Sequence, residues 1–68
     1  MGNIISTRIY ELRKENNLSQ LELAKRIGVT QKAIDFWEKG TNEPKATYII
    51  RLAQVLSVTT DYLLGLEN

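Results

Sequence analysis

The chain has 68 residues, a formal net charge of +1, and neither cysteine nor histidine. This length allows one domain, spanning residues 1–68. A domain this small buries only about 60% of the surface that its unfolded chain exposes, so its stability depends on packed apolar side chains. The missing residue types exclude disulfides, Cys-based metal sites and His-based acid–base catalysis. We therefore expect no metal, no cofactor, no small-molecule ligand and no enzyme activity. No apolar run is long enough to span a membrane, so a cytoplasmic protein is the default expectation.

Helical signals begin near the start of the chain, and no alternating strand pattern occurs. Ile5, Ile9 and Leu12 fall on one face of a first helix, at spacings of four and three residues. Asn16 and Asn17 come next, and Asn tolerates the left-handed conformation that closes helices. The first helix is therefore predicted to end there.

The second helix has the clearest start signal in the chain. Ser19 and Glu22 have the S-x-x-E spacing of a capping box, in which each side chain satisfies a backbone amide of the other segment. Leu18 and Leu23 stand at the positions of a hydrophobic staple. Gly28 is predicted to end this helix.

A third helix is predicted by the same signals. Thr30 is its N-cap, and Val29 and Ile34 are the staple pair. Trp37 lies three residues after Ile34, on the same face, and is assigned to the core. Gly40 ends the helix.

Two further helices follow a loop that contains the only proline, Pro44. The fourth helix lacks a good capping residue. Its predicted apolar stripe comprises Ile49, Ile50, Ala53 and Leu56. The short fifth helix has Thr59 as its cap and ends at Gly65. The sequence thus predicts an all-α fold of five helices around one core.

The second and third helices, Gln20–Ile27 and Gln31–Lys39, have a very short connection. Only Val29 lies between Gly28 and the cap Thr30. Two helices joined by a tight glycine-containing turn form a helix-turn-helix motif. In DNA-binding examples the first helix crosses the backbone, and the second enters the major groove, which is about 12 Å wide and admits one helix.

Two segments of the chain resemble a known family. They are "LSQLELAKRIGVTQKAIDFWEKGTNEP" and "LAQVLSVTTDYLLG". Together they are similar to the phage-repressor (Cro/C1-type, XRE-like) helix-turn-helix family, and the similarity extends from Ile5 to Gly65. It implies a compact lambda-repressor-like DNA-binding domain that binds a palindromic operator in double-stranded DNA as a homodimer and represses transcription. Ser57 stands where a helix-ending glycine is common in the family, which predicts a slightly strained turn.

By this resemblance, five residues of the third helix and its cap approach the bases. Thr30 and Gln31 occupy the start of the recognition helix, and Gln31 is expected to contact a base edge, most naturally adenine. Lys32 has guanine or a phosphate as its expected partner. Ala33 and Phe36 are expected to touch thymine methyl groups.

The resemblance also implies contacts to the DNA backbone. Gln20, at the start of the second helix, is expected to meet a phosphate, where the helix N-terminus favours an anion. Lys39, Thr41 and Asn42 are expected to hold the backbone and set the register.

Three charged residues have other expected roles. In the family, an Arg late in the first helix pairs with the Glu that follows the Trp position, so Arg13 and Glu38 are predicted to form a partly buried ion pair. Asp35 is a carboxylate on a helix that is expected to approach phosphates. It is either a specificity filter, accepting from cytosine N4, or a bystander.

Other functions compete with DNA binding. Exposed Gln and Lys are normal on any helix surface. Phe36 precedes the core residue Trp37 and cannot face the same core, so with Leu21 it could instead form an apolar patch for a protein partner. A protein-interaction module or an antitoxin is therefore the second hypothesis. An enzyme is the weakest, because the chain has no Gly-rich phosphate loop and little volume for a sheltered pocket.

Overall fold

The computed structural model describes residues 3–68, which form helices and connecting turns without any strand. The helices are α1 (Ile4–Glu15), α2 (Gln20–Ile27), α3 (Gln31–Lys39), α4 (Ala46–Leu56) and α5 (Thr60–Leu64). The all-α, five-helix prediction is confirmed for this range. Met1 and Gly2, which the predicted domain includes, lie outside the described residues. Within residues 3–68, no helix has the length and apolar character needed to cross a membrane.

Four of the five helices of residues 3–68 begin at a side chain that caps the first turn through a hydrogen bond. The capping box of α2 is formed: Ser19 N donates to Glu22 Oε1 (2.8 Å) and Glu22 N donates to Ser19 Oγ (3.0 Å). Thr30 Oγ1 caps α3 and Thr59 Oγ1 caps α5. The N-cap of α1 is Asn3, which was not predicted from the sequence. As predicted, α4 begins without a side-chain cap.

Residues in the left-handed conformation end the helices and turn the chain. Gly28 has φ +90° at the end of α2, and this conformation lets α3 begin after two more residues. Ser57 takes the corresponding position after α4 with φ +60° and ψ +43°. A side chain in this region is disfavoured by its own Cβ, so the strained turn predicted at Ser57 is present.

The core is a single cluster of side chains drawn from all five helices and from the α1–α2 turn. Its buried members are Ile9, Leu12, Leu18, Leu23, Ala24, Ile27, Ile34, Trp37, Leu52, Ala53, Leu56 and Leu63. Helix α3 packs against α1 and α2, and α5 packs against α1 and α4. The domain therefore holds α3 by its inner face.

One predicted core position is wrong. Ile50 was expected on the apolar stripe of α4, but it is 51% exposed. Each helical residue turns by about 100°, since a turn contains 3.6 residues. Ile50 therefore lies beyond the edge of the stripe that Ile49, Ala53 and Leu56 define.

Candidate nucleic-acid interface

Helix α3 has one buried face and one accessible face. Ile34 and Trp37 lie in the core. Gln31, Lys32 and Lys39 are exposed to solvent. A short helix anchored mainly by two buried apolar residues thus presents polar side chains outward along its whole length.

The first residues of α2 and α3 lie next to each other. Gln31 Nε2 is 3.5 Å from Gln20 Oε1, a long hydrogen bond. Gln20 Nε2 in turn donates to Glu38 Oε1 (3.1 Å) and lies 3.3 Å from Asp35 Oδ1. The amide of Gln20 is therefore oriented by α3, with its oxygen towards Gln31.

A buried ion pair fixes the other end of α3. Arg13 Nε and Glu38 Oε2 are 2.6 Å apart, and Arg13 Nη2 lies 3.1 Å from Glu38 Oε1. Arg13 Nη1 also donates to the backbone oxygen of Leu18 (2.9 Å). The hydrogen bond to Glu38 raises the pKa of Arg13, although burial acts in the opposite direction. The pair expected between the first helix and the third is thus present, and it is extended by Gln20.

Two open grooves border these residues. The larger, about 570 Å³, is lined by Arg13, Lys14, Asn17, Leu18, Ser19, Gln20, Glu22 and Gln31. The smaller, about 390 Å³, is lined by Gln20, Gln31, Lys32 and Asp35. The two grooves meet at Gln20 and Gln31, so the starts of both helices border a continuous polar surface.

The remaining predicted contact residues are distributed unevenly over this surface. Thr41 and Asn42 are exposed just after α3. Thr30 is exposed, but its hydroxyl caps Ala33 N (3.2 Å). Ala33 is partly buried against the core, and so it has little side-chain surface to offer a base.

The exposure of Phe36 differs from the expectation. It was predicted to be exposed, but it is only partly so. Lys32 Nζ lies 5.8 Å from the centre of its ring, within the range of a cation–π contact. The ring is thus partly covered by its own helix, which leaves a smaller apolar patch than the sequence indicated.

Two residues at the end of α1 and in the α1–α2 turn border the candidate interface but were not predicted from the sequence. Lys14 and Asn17 line the larger groove beside Gln20. The sequence indicated them only through the positive charge of Lys14, about one turn before the α2 cap. This charge points to the candidate interface only in the folded structure, where the end of α1 lies beside the start of α3.

Comparisons with known proteins agree with this geometry. A helix-turn-helix family model matches residues 9–63, which is more than half of the chain. The chain is 33% identical over 65 residues to YqaE, an HTH-type transcriptional regulator of Bacillus subtilis (strain 168). That match covers 96% of this chain and 56% of YqaE, so the chain spans about half the length of this relative.

Two other relatives have more specific descriptions. The repressor protein C2 of Salmonella phage P22 is 34% identical over 61 residues, 90% of this chain and 28% of C2. The antitoxin HigA1 of Mycobacterium tuberculosis (strain H37Rv) is 44% identical over 48 residues, 71% of this chain and 32% of the antitoxin.

The fold is also that of the P22 repressor. The crystal structure of the P22 c2 repressor in complex with a synthetic operator matches with a TM-score of 0.86 and 33% identity, over 90% of this chain and 92% of that chain. The sequence motifs, the fold and the family model all agree. The chain therefore belongs to the helix-turn-helix family of transcriptional regulators, of the Cro/C1 type.

Proposed function

We propose that the domain formed by residues 1–68 binds a palindromic operator as a homodimer and represses transcription by inserting α3 into the major groove. The observation that carries this proposal is the division of α3 into a buried face, with Ile34 and Trp37, and a polar accessible face. A groove about 12 Å wide accepts one helix presented in this way.

The proposed base contacts come from the start of α3. Gln31 is exposed, and one of its amide hydrogens and its oxygen remain free when Nε2 donates to Gln20. An amide with one donor and one acceptor matches the N7 and N6 groups of adenine. Lys32 projects from the next position and supplies a cation for guanine or for a phosphate.

The proposed backbone contacts surround this centre. The first amides of α2 have no partner within their own helix, and the helix dipole favours a phosphate there. Gln20 stands at that terminus, and Lys39, Thr41 and Asn42 follow at the far end of α3. Contacts on both sides of the groove would set the register of α3 on the duplex.

Dimerisation is proposed through the C-terminal segment. Leu64, the last residue of α5, is 38% exposed, and Leu66, two residues further along the chain, is 73% exposed. Half-sites of palindromic operators repeat about every 34 Å. The longest dimension of the domain is 27 Å, so two copies fit side by side on half-sites at that spacing.

Selection of bound sites from random duplex DNA tests the proposal. We expect a palindromic consensus with half-sites about one helical turn apart. Binding should weaken steeply with salt, since each neutralised phosphate contributes about 0.9 to the slope of log affinity against log salt concentration. Failure of random and selected duplexes alike to bind at low ionic strength would end the proposal.

A protein-binding function is the second candidate. Leu21 on α2 is 47% exposed, and an antitoxin is among the relatives. Leu21→Gln would abolish capture of a protein partner and leave operator affinity unchanged if the two functions use separate surfaces. We assign the chain no catalytic role and, because DNA is its proposed ligand, a cytoplasmic location.

A further inference from the structure

The accessible face of α3 carries one carboxylate among its cations. Asp35 lies in the middle of the helix and lines the smaller groove together with Gln20, Gln31 and Lys32. Its side chain is 33% exposed. It therefore belongs to the same surface as the residues proposed to meet DNA, where a negative charge opposes binding to phosphates.

Both oxygens of this carboxylate are held in place. Lys39 Nζ lies 2.9 Å from Asp35 Oδ2, one turn further along α3. Gln20 Nε2 lies 3.3 Å from Asp35 Oδ1 and reaches it from α2. These two partners lower the pKa of Asp35, with Lys39 contributing more, so the group is ionised at neutral pH.

Lys39 and Gln20 do not occupy all the acceptor sites of the Asp35 carboxylate. An ionised carboxylate offers about four acceptor sites and no donor. The ammonium of Lys39 has three donors, so it can hold Asp35 and still face a phosphate. Asp35 thus presents a positioned, acceptor-only group to whatever enters the smaller groove.

Base pairs differ in the hydrogen-bond donors that they offer to an acceptor-only group. In the major groove, cytosine presents the N4 donor and adenine presents the N6 donor beside the N7 acceptor, whereas guanine exposes only acceptors and thymine exposes an acceptor and a methyl group. We propose that Asp35 is a specificity-determining residue, which accepts a hydrogen bond from the amino group of a cytosine and disfavours adenine, guanine and thymine at that position. This inference rests on the proposed DNA-binding function.

The test compares site selection by the wild type, Asp35→Asn and Glu11→Gln. The asparagine is isosteric but offers both a donor and an acceptor. Glu11 is exposed on α1 and lines neither groove, so its variant controls for the loss of one negative charge. We expect a cytosine in each wild-type half-site, and its preference over adenine should fall about fivefold or more in Asp35→Asn only, because asparagine pairs with adenine N6 and N7.

A second measurement removes the donor from the DNA, so its main readout is the wild-type protein and does not depend on the folding of a variant. The selected cytosine is replaced by an analogue that lacks the amino group, and affinities are measured for wild type and Asp35→Asn. The wild type should lose about fivefold or more on this DNA, and the variant should lose less.

The inference is overturned if Asp35→Asn and wild type select the same consensus with equal stringency, or if removal of the amino group weakens both proteins equally. A folded wild type that binds no duplex at all contradicts the proposed function instead, and that result comes from the wild-type measurement alone.

Discussion

Gln20 and Glu38 lie 18 residues apart in the chain and are joined by a hydrogen bond of 3.1 Å between Gln20 Nε2 and Glu38 Oε1. The same carboxylate accepts hydrogen bonds from the guanidinium of Arg13 on α1. One acidic side chain near the end of α3 therefore connects the end of α1 and the start of α2. Polar networks in which every member is satisfied favour one arrangement of the surrounding elements. The position of α3 relative to α2 is set in part by this network.

Removing one member of the buried Arg13–Glu38 pair should destabilise the domain. Arg13→Met leaves the Glu38 carboxylate, whose side chain is 6% exposed, without its cation. We expect the free energy of unfolding to fall by about 3–5 kcal/mol, measured by urea denaturation. Arg26→Met, at an exposed position of α2, is the matched control and should change stability little. Arg13→Met combined with Glu38→Leu should be less destabilising than Arg13→Met alone, because no charge is left buried. A double variant that is worse than the single one would contradict this explanation.

Gln31→Ala tests the base contact proposed for the start of α3. On the selected operator it should cost about 1–3 kcal/mol of binding free energy and relax the preference at one base pair. The measurement is a titration of the operator and of variants at each position, at one fixed salt concentration. An equal loss on all sequences would show that Gln31 contacts only the DNA backbone.

Ser57→Gly should stabilise the domain. Ser57 holds the left-handed conformation that glycine adopts without a Cβ penalty, and relief of that penalty is worth about 1 kcal/mol. The midpoint of thermal unfolding should then rise by about 4–8 °C. Asn17→Gly is the comparison, because Asn17 has φ +56° but Asn tolerates this region better than Ser. A larger gain at Asn17 than at Ser57 would be inconsistent with this account.

The capping box of α2 should make stability depend on pH in the acid range. The pKa of Glu22 is lowered, chiefly because Ser19 N–H donates to its carboxylate. A lowered folded-state pKa adds stability above the unfolded value, about 4.3, and this stability is lost as the pH falls through the folded value. The midpoint of thermal unfolding should therefore drop less in Glu22→Gln than in wild type between pH 6 and 3. Glu11→Gln, outside any cap, should follow the wild type.

The sequence by itself determined the five helices and most of their ends. Ser19 with Glu22, Thr30 and Thr59 are N-caps, and Gly28, Gly40 and Gly65 are stops, because these signals act through backbone groups a few residues away. Local chemistry of this kind does not require knowledge of the fold. The resemblance added the Arg13–Glu38 pair, which no local pattern indicates.

Only the tertiary structure decided how the accessible surface is organised. Gln20 was expected to be available to a phosphate, yet its amide nitrogen faces the acids of α3. Ile50 and Phe36 were misjudged because their exposure depends on small differences in angle and on neighbouring side chains. The role of Asp35 was undecided from sequence, since its two partners come from different helices. Side-chain hydrogen bonds between helices depend on their relative placement, and that placement follows from packing of the whole core.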